Sequence, residues 1–202
     1  AMVFGSDQGM CGQFNERIVS HALDFIRDYR HGESNWMVLP VGQRAGASLM
    51  RSDLPIEEPL REAGSLDGIT PVVRDILMHI DRWRAEEGVD AVYVFHNRPL
   101  SGSSYRSEHR RLLPMDRSWL EKLAQRDWPT NALPMFTMAW DEIFSSLVGQ
   151  YLFVALFRAC AESVAAENAS RVASMQAAER NIDERLDDLN AKYRHERQRS
   201  IT

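Results

Sequence analysis

The chain has 202 residues, 44% of them hydrophobic and 26% charged, with a net charge of −5 at pH 7. That length and composition fit one sizeable globular core plus an appendage. The acidic balance argues against nucleic acid as a partner, because binding phosphate backbones takes a basic surplus.

Met2, Val3 and Phe4 make a short apolar strand at the very start, with no polar leader before it, so a fragment of a longer protein is expected. A corner follows, Gly5-Ser6-Asp7-Gln8-Gly9-Met10-Cys11-Gly12-Gln13-Phe14-Asn15, and then a helix over residues 15–29 with Ile18, Ala22, Phe25 and Ile26 on one stripe. Residues 36–41 read as a second strand, and a short helix runs from Gly42 to about residue 50. Residues 54–66, broken by Pro55 and Pro59, read as loops with an edge strand. Thr70-Pro71 reads as the start of a helix that carries Val72, Val73, Ile76, Leu77, Ile80 and Trp83 and ends near Gly88. Residues 91–95 form the clearest buried strand, and after a glycine- and serine-rich loop residues 105–113 return as an antiparallel edge strand. Strands alternating with helices predict an α/β domain over residues 1–135, a Rossmann-like, mainly parallel sheet flanked by helices.

The character changes in the second domain, residues 136–202. From residue 140 to 200 there is no proline and a single glycine, Gly149. One helix of about 90 Å is expected at 1.5 Å per residue, far longer than the α/β domain is wide. Val164, Asn168, Val172, Met175, Ala178, Ile182, Leu186, Leu189 and Tyr193 recur at steps of three and four, with charged residues between them. That is half of a coiled coil, and its seam needs a partner helix, either one from outside this sequence or that of a second copy, as in a coiled-coil adaptor.

Chemistry is hard to place on this sequence. Gly9-Met10-Cys11-Gly12 looks like a nucleophile elbow, but Gln13 stands where the second glycine belongs. The corner also lacks the lysine of a phosphate loop and the glycine spacing of a dinucleotide site. Cys11 paired with His96 across neighbouring strand ends is the one enzyme arrangement available, a cysteine hydrolase. Cys11 and Cys160 have no metal-ligand spacing, and no histidine pair sits at i, i+4, so reduced thiols and no cofactor or metal are expected. Arg106, Arg110 and Arg111 on the returning strand either grip phosphate or an acidic partner, or guard an edge against aggregation. With no run of about 18 apolar residues and no secretory leader read in the sequence, the expectation is a soluble, cytoplasmic setting without membrane insertion.

Three ordered stretches carry a resemblance. Residues 6–15 are similar to Ser-Asp-Arg-Gly-Leu-Cys-Gly-x-Phe-Asn, residues 162–175 to Glu-Ser-x-Ala-Ser-Glu-x-Ala-Ala-Arg-Met-x-Ala-Met, and residues 189–202 to Leu-x-x-x-Tyr-Asn-x-x-Arg-Gln-x-x-Ile-Thr. Together they resemble the γ subunit of F-type ATP synthases, the central rotor stalk. The sequence departs from that pattern at Met175-Gln176-Ala177-Ala178-Glu179-Arg180-Asn181-Ile182 and around Trp119 and Trp128. The resemblance implies a noncatalytic subunit that couples ion-driven rotation to ATP synthesis or hydrolysis. It would be peripheral on the cytoplasmic face of the membrane. Its partners would be the α and β subunits of the catalytic head, the ε subunit, the membrane rotor ring of c subunits, and an amino-terminal helix paired antiparallel with the long one. It also implies that Val172, Met175, Ala178, Ile182, Leu186, Leu189 and Tyr193 hold the shaft together and that Phe136 and Trp140 lie near the rotor ring. Asp7, Gly9, Cys11 and Gly12 would then be a structural corner, with Asp7 bonding backbone or capping the helix that follows and Cys11 a small packed thiol.

Overall fold

A computed structural model describes residues 1–29, 35–127, 130–132 and 135–201. The expectations that rest on His31, Trp128, Pro134 and Thr202 lie outside them. The elements are β1 (Met2–Phe4), α1 (Phe14–Tyr29), β2 (Leu39–Val41), α2 (Gln43–Leu49), α3 (Leu66–Glu86), β3 (Val92–Pro99), β4 (Tyr105–Leu113), α4 (Arg117–Ala124) and α5 (Trp140–Ile201). The sheet order is β2-β1-β3-β4, with β1 parallel to both of its neighbours and β4 antiparallel to β3. This is the expected mainly parallel α/β sheet.

Alternation along the strands feeds two cores. Val3, Tyr93 and Phe95 point to one face, where they meet Ile18, Ala22 and Ile26 of α1 and Leu49 of α2. Met2, Phe4 and Val94 point to the other, against Ile69, Val73, Ile76 and Trp83 of α3 and Leu152, Leu156 and Cys160 of α5. At about 25 cal/mol per Å² of apolar area removed from water, these two layers are the main driving force for folding.

Three local expectations are corrected, and the irregular edge expected within residues 54–66 is present. α3 begins at Leu66, so Pro71 lies inside the helix rather than at its first turn. The extra turn places Ile69 in the core at 0% exposure, a gain that outweighs the hydrogen bond the proline forgoes. β2 is shorter than residues 36–41, because Val38 leaves the regular ladder to bridge Ile56. A second bridge, Val41 to Leu60, makes residues 56–60 an irregular parallel edge. α4 was not expected; Asp116 starts it by accepting the Ser118 N–H at 2.9 Å, and none of its residues is buried.

α5 runs for 62 residues, about 93 Å at helical rise. Its first half packs on the sheet and α3, whereas residues 176–200 are all exposed. An 18-residue stretch of this helix reaches a mean hydropathy of 1.5, so by length and composition it is apolar enough to cross a membrane, against the sequence expectation. Ser145, Ser146, Gly149 and Gln150 interrupt the apolar run, and the mean stays high despite them. Leu152, Ala155 and Leu156 nevertheless pack in the α/β core.

Candidate functional site

The corner after β1 and the middle of α5 form one joint. Asn15, at the start of α1, reaches back to Ser6, with its Oδ1 accepting the Ser6 N–H at 2.9 Å and its Nδ2 donating to the Ser6 hydroxyl at 2.8 Å. Asp7 accepts the Gln43 N–H at 2.9 Å and the Glu62 N–H at 3.2 Å, so it caps α2 and ties down the irregular edge rather than serving its own helix. Gly42 makes that approach feasible: its φ is 114°, and a Cβ there would lie 2.7 Å from the Ser6 nitrogen.

Cys11 is 2% exposed, with its sulfur 3.6 Å from both the Ser6 hydroxyl and Asn15 Nδ2. The left-handed residue that an elbow would give its nucleophile is instead Met10, at φ 65°, whose side chain is 70% exposed. Gly12 takes φ 59° and faces the Ser170 and Ser174 hydroxyls of α5. A Cβ at Gly9 would meet only the Arg44 guanidinium, at 3.5 Å.

α5 closes over this corner with side chains spaced along one face. Ser170 donates to the Cys11 carbonyl at 2.7 Å, and Ala166 packs with Cys11 and Phe14, against which Tyr105 stacks edge-on. Glu167, 2% exposed, pairs with Arg171 and shares a hydrogen bond with the Glu62 carboxyl. Burial and this second carboxyl push Glu62 up to about 9, so it holds a proton at neutral pH. Glu162 accepts from His96 Nε2 and Arg158 Nε, both at 2.8 Å. Burial pushes the Glu162 carboxyl up, but those two partners outweigh it and hold it below its usual range. Asn97 completes the set from β3, donating to the Phe14 carbonyl at 3.1 Å.

His96 and Cys11 are thus not brought together. His96 is committed to Glu162 on α5, and Cys11 to Ser6, Gln8 and Asn15. Among the described residues no group of three or more histidine, cysteine or acidic side chains is arranged to hold a metal. The sequence reading missed Asn15, Glu62, Asn97 and Ser170. Asn15 was accessible as a polar residue opening a helix, but Glu62 sits in an irregular segment with no periodicity to place it.

The predicted seam lies beyond the joint. Val172, Met175, Ile182, Leu186, Leu189 and Tyr193 are between 47% and 66% exposed, and Ala178 is exposed beside them. Phe136 and Trp140, at 57% and 63% exposure, lie at the opposite end of α5 with their rings 5.9 Å apart. Nothing among the described residues covers either group.

An α/β body locked onto one half of a long helix, with the other half carrying a bare apolar stripe, defines a stalk protein, one whose helix is shaped for contact along its length. The chain belongs to the ATP synthase family, whose model matches residues 1–202. It is 25% identical over 201 residues to an ATP synthase gamma chain of Fusobacterium nucleatum, covering all of this chain and 67% of that one. A gamma chain of Xanthomonas campestris is 26% identical, with 68% of its length covered. In structure the chain resembles a component of the Tetrahymena thermophila mitochondrial ATP synthase central stalk and c-ring, at TM-score 0.63 and 22% identity, covering 88% of this chain and 75% of that one. It also resembles a component of the Euglena gracilis mitochondrial ATP synthase rotor, at TM-score 0.67 and 16% identity, covering 100% and 74%.

Proposed function

We infer that this chain is a γ-type, noncatalytic central-stalk subunit of an F-type ATP synthase, on the cytoplasmic face of the membrane. The observation that carries this reading is the bare apolar stripe on the overhanging half of α5, in a member of the ATP synthase family. Residues 136–202 act as the shaft. Val172, Met175, Ala178, Ile182, Leu186, Leu189 and Tyr193 take an antiparallel helix, and the paired helices turn inside a ring of α and β subunits. Residues 1–135 act as the foot that meets the ε subunit, while Phe136 and Trp140 approach the rotor ring of c subunits.

Function on this reading is a matter of shape. As the shaft turns, each head subunit meets a different face of it, and the difference in contact free energy shifts that subunit between its nucleotide-binding states. Asp7, Gly9, Cys11 and Gly12 work as structure: they build the corner that holds the shaft to its foot, so that rotation of one carries the other.

The test is assembly with an α/β head. The chain should co-elute with the head, and Ile182→Asp with Leu189→Asp should abolish this while leaving the α/β domain folded. Co-elution indifferent to those substitutions overturns the assignment of the seam. ATP or ester turnover by the chain alone, lost in Cys11→Ser, overturns the noncatalytic reading.

A further inference from the structure

The stalk reading gives no role to the free edge of the sheet. β4 is the last strand in the order, and among the described residues nothing pairs with its outer side. Nine residues of edge leave a row of backbone N–H and C=O groups open. Beside the later part of β4 lies a groove of about 570 Å³, walled by Phe25 and Tyr29 of α1, Tyr93 of β3, Trp119 of α4 and Tyr151 of α5.

The groove straddles the strand. Arg111 and His109 pair with Tyr93 and Phe95, which face α1, whereas Arg110 pairs with Val94, which faces α5. Both arginines contact tyrosines. The Arg110 guanidinium lies 5.9 Å from the centre of the Tyr151 ring and donates to its hydroxyl at 3.4 Å. Arg111 hydrogen-bonds the Tyr93 side chain. Earlier on the edge, Arg98 and Arg106 are taken up by Glu108. Among the described residues neither Arg110 nor Arg111 forms a salt bridge; Arg111 acts at longer range on Asp116, whose carboxylate is held by the N–H and hydroxyl of Ser118. Two adjacent arginines, set toward opposite faces of one short edge, stand out in a chain of net charge −5.

We propose that the free edge of β4 receives an acidic, extended segment of another polypeptide as a fifth strand, its carboxylates meeting Arg110 on one face and Arg111 on the other. The alternation is the argument. An added strand supplies main-chain partners for the edge and sends successive side chains to opposite faces, where the cations and aromatic walls stand. A compact anion such as phosphate could reach one face only. A second copy of this chain would set arginine against arginine across the new pair, which is unfavourable. The same charge that keeps like edges apart admits an acidic strand. Aromatic side chains beside arginine are also the composition of binding hot spots.

The test uses the whole chain and the eight-residue synthetic peptide Glu-Glu-Thr-Thr-Glu-Glu-Thr-Thr, which presents carboxylates on both faces of a strand, with the same pattern in lysine and threonine as control. Amide hydrogen exchange read by NMR should slow at alternate positions of β4 with the acidic peptide only. Arg110→Glu with Arg111→Glu should weaken acidic-peptide binding by about tenfold or more and admit the basic peptide. Arg110→Gln with Arg111→Gln, which avoids new charge, should give an intermediate loss. The proposal is overturned if the two peptides bind alike, if protection falls away from β4, or if neither peptide binds. It is also overturned if edge protection appears with protein concentration alone, which means a second copy, or if inorganic phosphate produces the same pattern.

Discussion

The Glu62 proton offers the sharpest test of the joint. Glu62 Oε2 accepts the Asp7 N–H at 2.8 Å, and its carboxyl hydrogen-bonds Glu167, which in turn holds Arg171. Desolvation is the largest cause of its raised value, followed by the bond to Glu167, and the bond from Asp7 opposes them in part. The folded chain therefore keeps a proton on this carboxyl up to about pH 9, whereas the unfolded carboxyl gives it up near 4.5. Between those values folding takes up one proton, so stability is fully present below the unfolded value and falls as pH rises, at about 1.4 kcal/mol per pH unit from this group. Above the folded value the loss is complete, because a charged Glu62 is then buried beside Glu167 and Asp7. Cys160, which also faces Glu62, is itself pushed up to about 12 by burial and stays a thiol throughout. Glu62→Gln keeps the shape and a donor for Glu167 but has no proton to lose. Urea midpoints followed by tryptophan fluorescence should show the variant gaining on the wild type with each pH unit between about 5 and 8. A gain of 1 kcal/mol corresponds to about 2–4 °C in melting temperature at this chain length. Parallel pH profiles for the two proteins would refute a protonated Glu62 and with it the shared proton of the joint.

Three further outcomes follow from the same packing. Leu156→Ala should cost about 2–5 kcal/mol in urea unfolding because Leu156 is 0% exposed, whereas Leu186→Ala, 51% exposed, should stay within about 0.5 kcal/mol in the isolated chain. Ser170→Ala should cost about 0.5–1.5 kcal/mol by removing the shorter of the two hydrogen bonds to the Cys11 carbonyl, which keeps the Phe14 N–H at 3.3 Å, measured by the same unfolding curves. His21 Nε2 and His109 Nδ1 lie 3.1 Å apart, and burial lowers both rings, with the neighbouring His109 charge as a further cause for His21. Stability from this pair is present above the ordinary histidine value of 6.5 and is lost as pH falls below it. His109→Phe, which keeps the ring contact with Phe25, should flatten the acid limb of the melting curve.

What the sequence made legible follows the range of the forces involved. β1, α1, β4 and α5 lie within a residue or so of their expected bounds, because each has a periodic apolar stripe or a strand bounded by turn residues. α3 was placed late because Thr70-Pro71 is a strong local start signal, and only the tertiary burial of Ile69 reveals the extra turn. α4 buries nothing, so hydrophobic pattern could not announce it, although Asp116 ahead of Ser118 was a legible cap. The corner motif and the 162–175 motif could each be read, but not that they touch: the bond from Ser170 to the Cys11 carbonyl spans 159 positions. Glu62 stayed hidden because its meaning lies wholly in Asp7 and Glu167, neither near it in sequence.

The two uses of α5 fall on different sides of it, and this geometry is what lets one helix serve both. At about 100° per residue, Leu152, Leu156, Ala159, Glu162, Ala166 and Ser170 cluster on one side, and the stripe from Val172 to Tyr193 is centred roughly 150° away. A helix added along the stripe would therefore not compete with the α/β domain for the same face, and α5 could be gripped from two directions where the contacts meet near residues 164–175. The grips differ in kind. The stripe is apolar, and apolar contact sets strength better than register. The joint is polar and directional. Rotating α5 by one residue would turn Glu162 from His96, Glu167 from Glu62 and Ser170 from the Cys11 carbonyl together, leaving buried polar groups unpaired at about 1–3 kcal/mol each. Slippage about the helix axis is thus opposed most where the helix meets its foot, which is where a rotating shaft has to resist it.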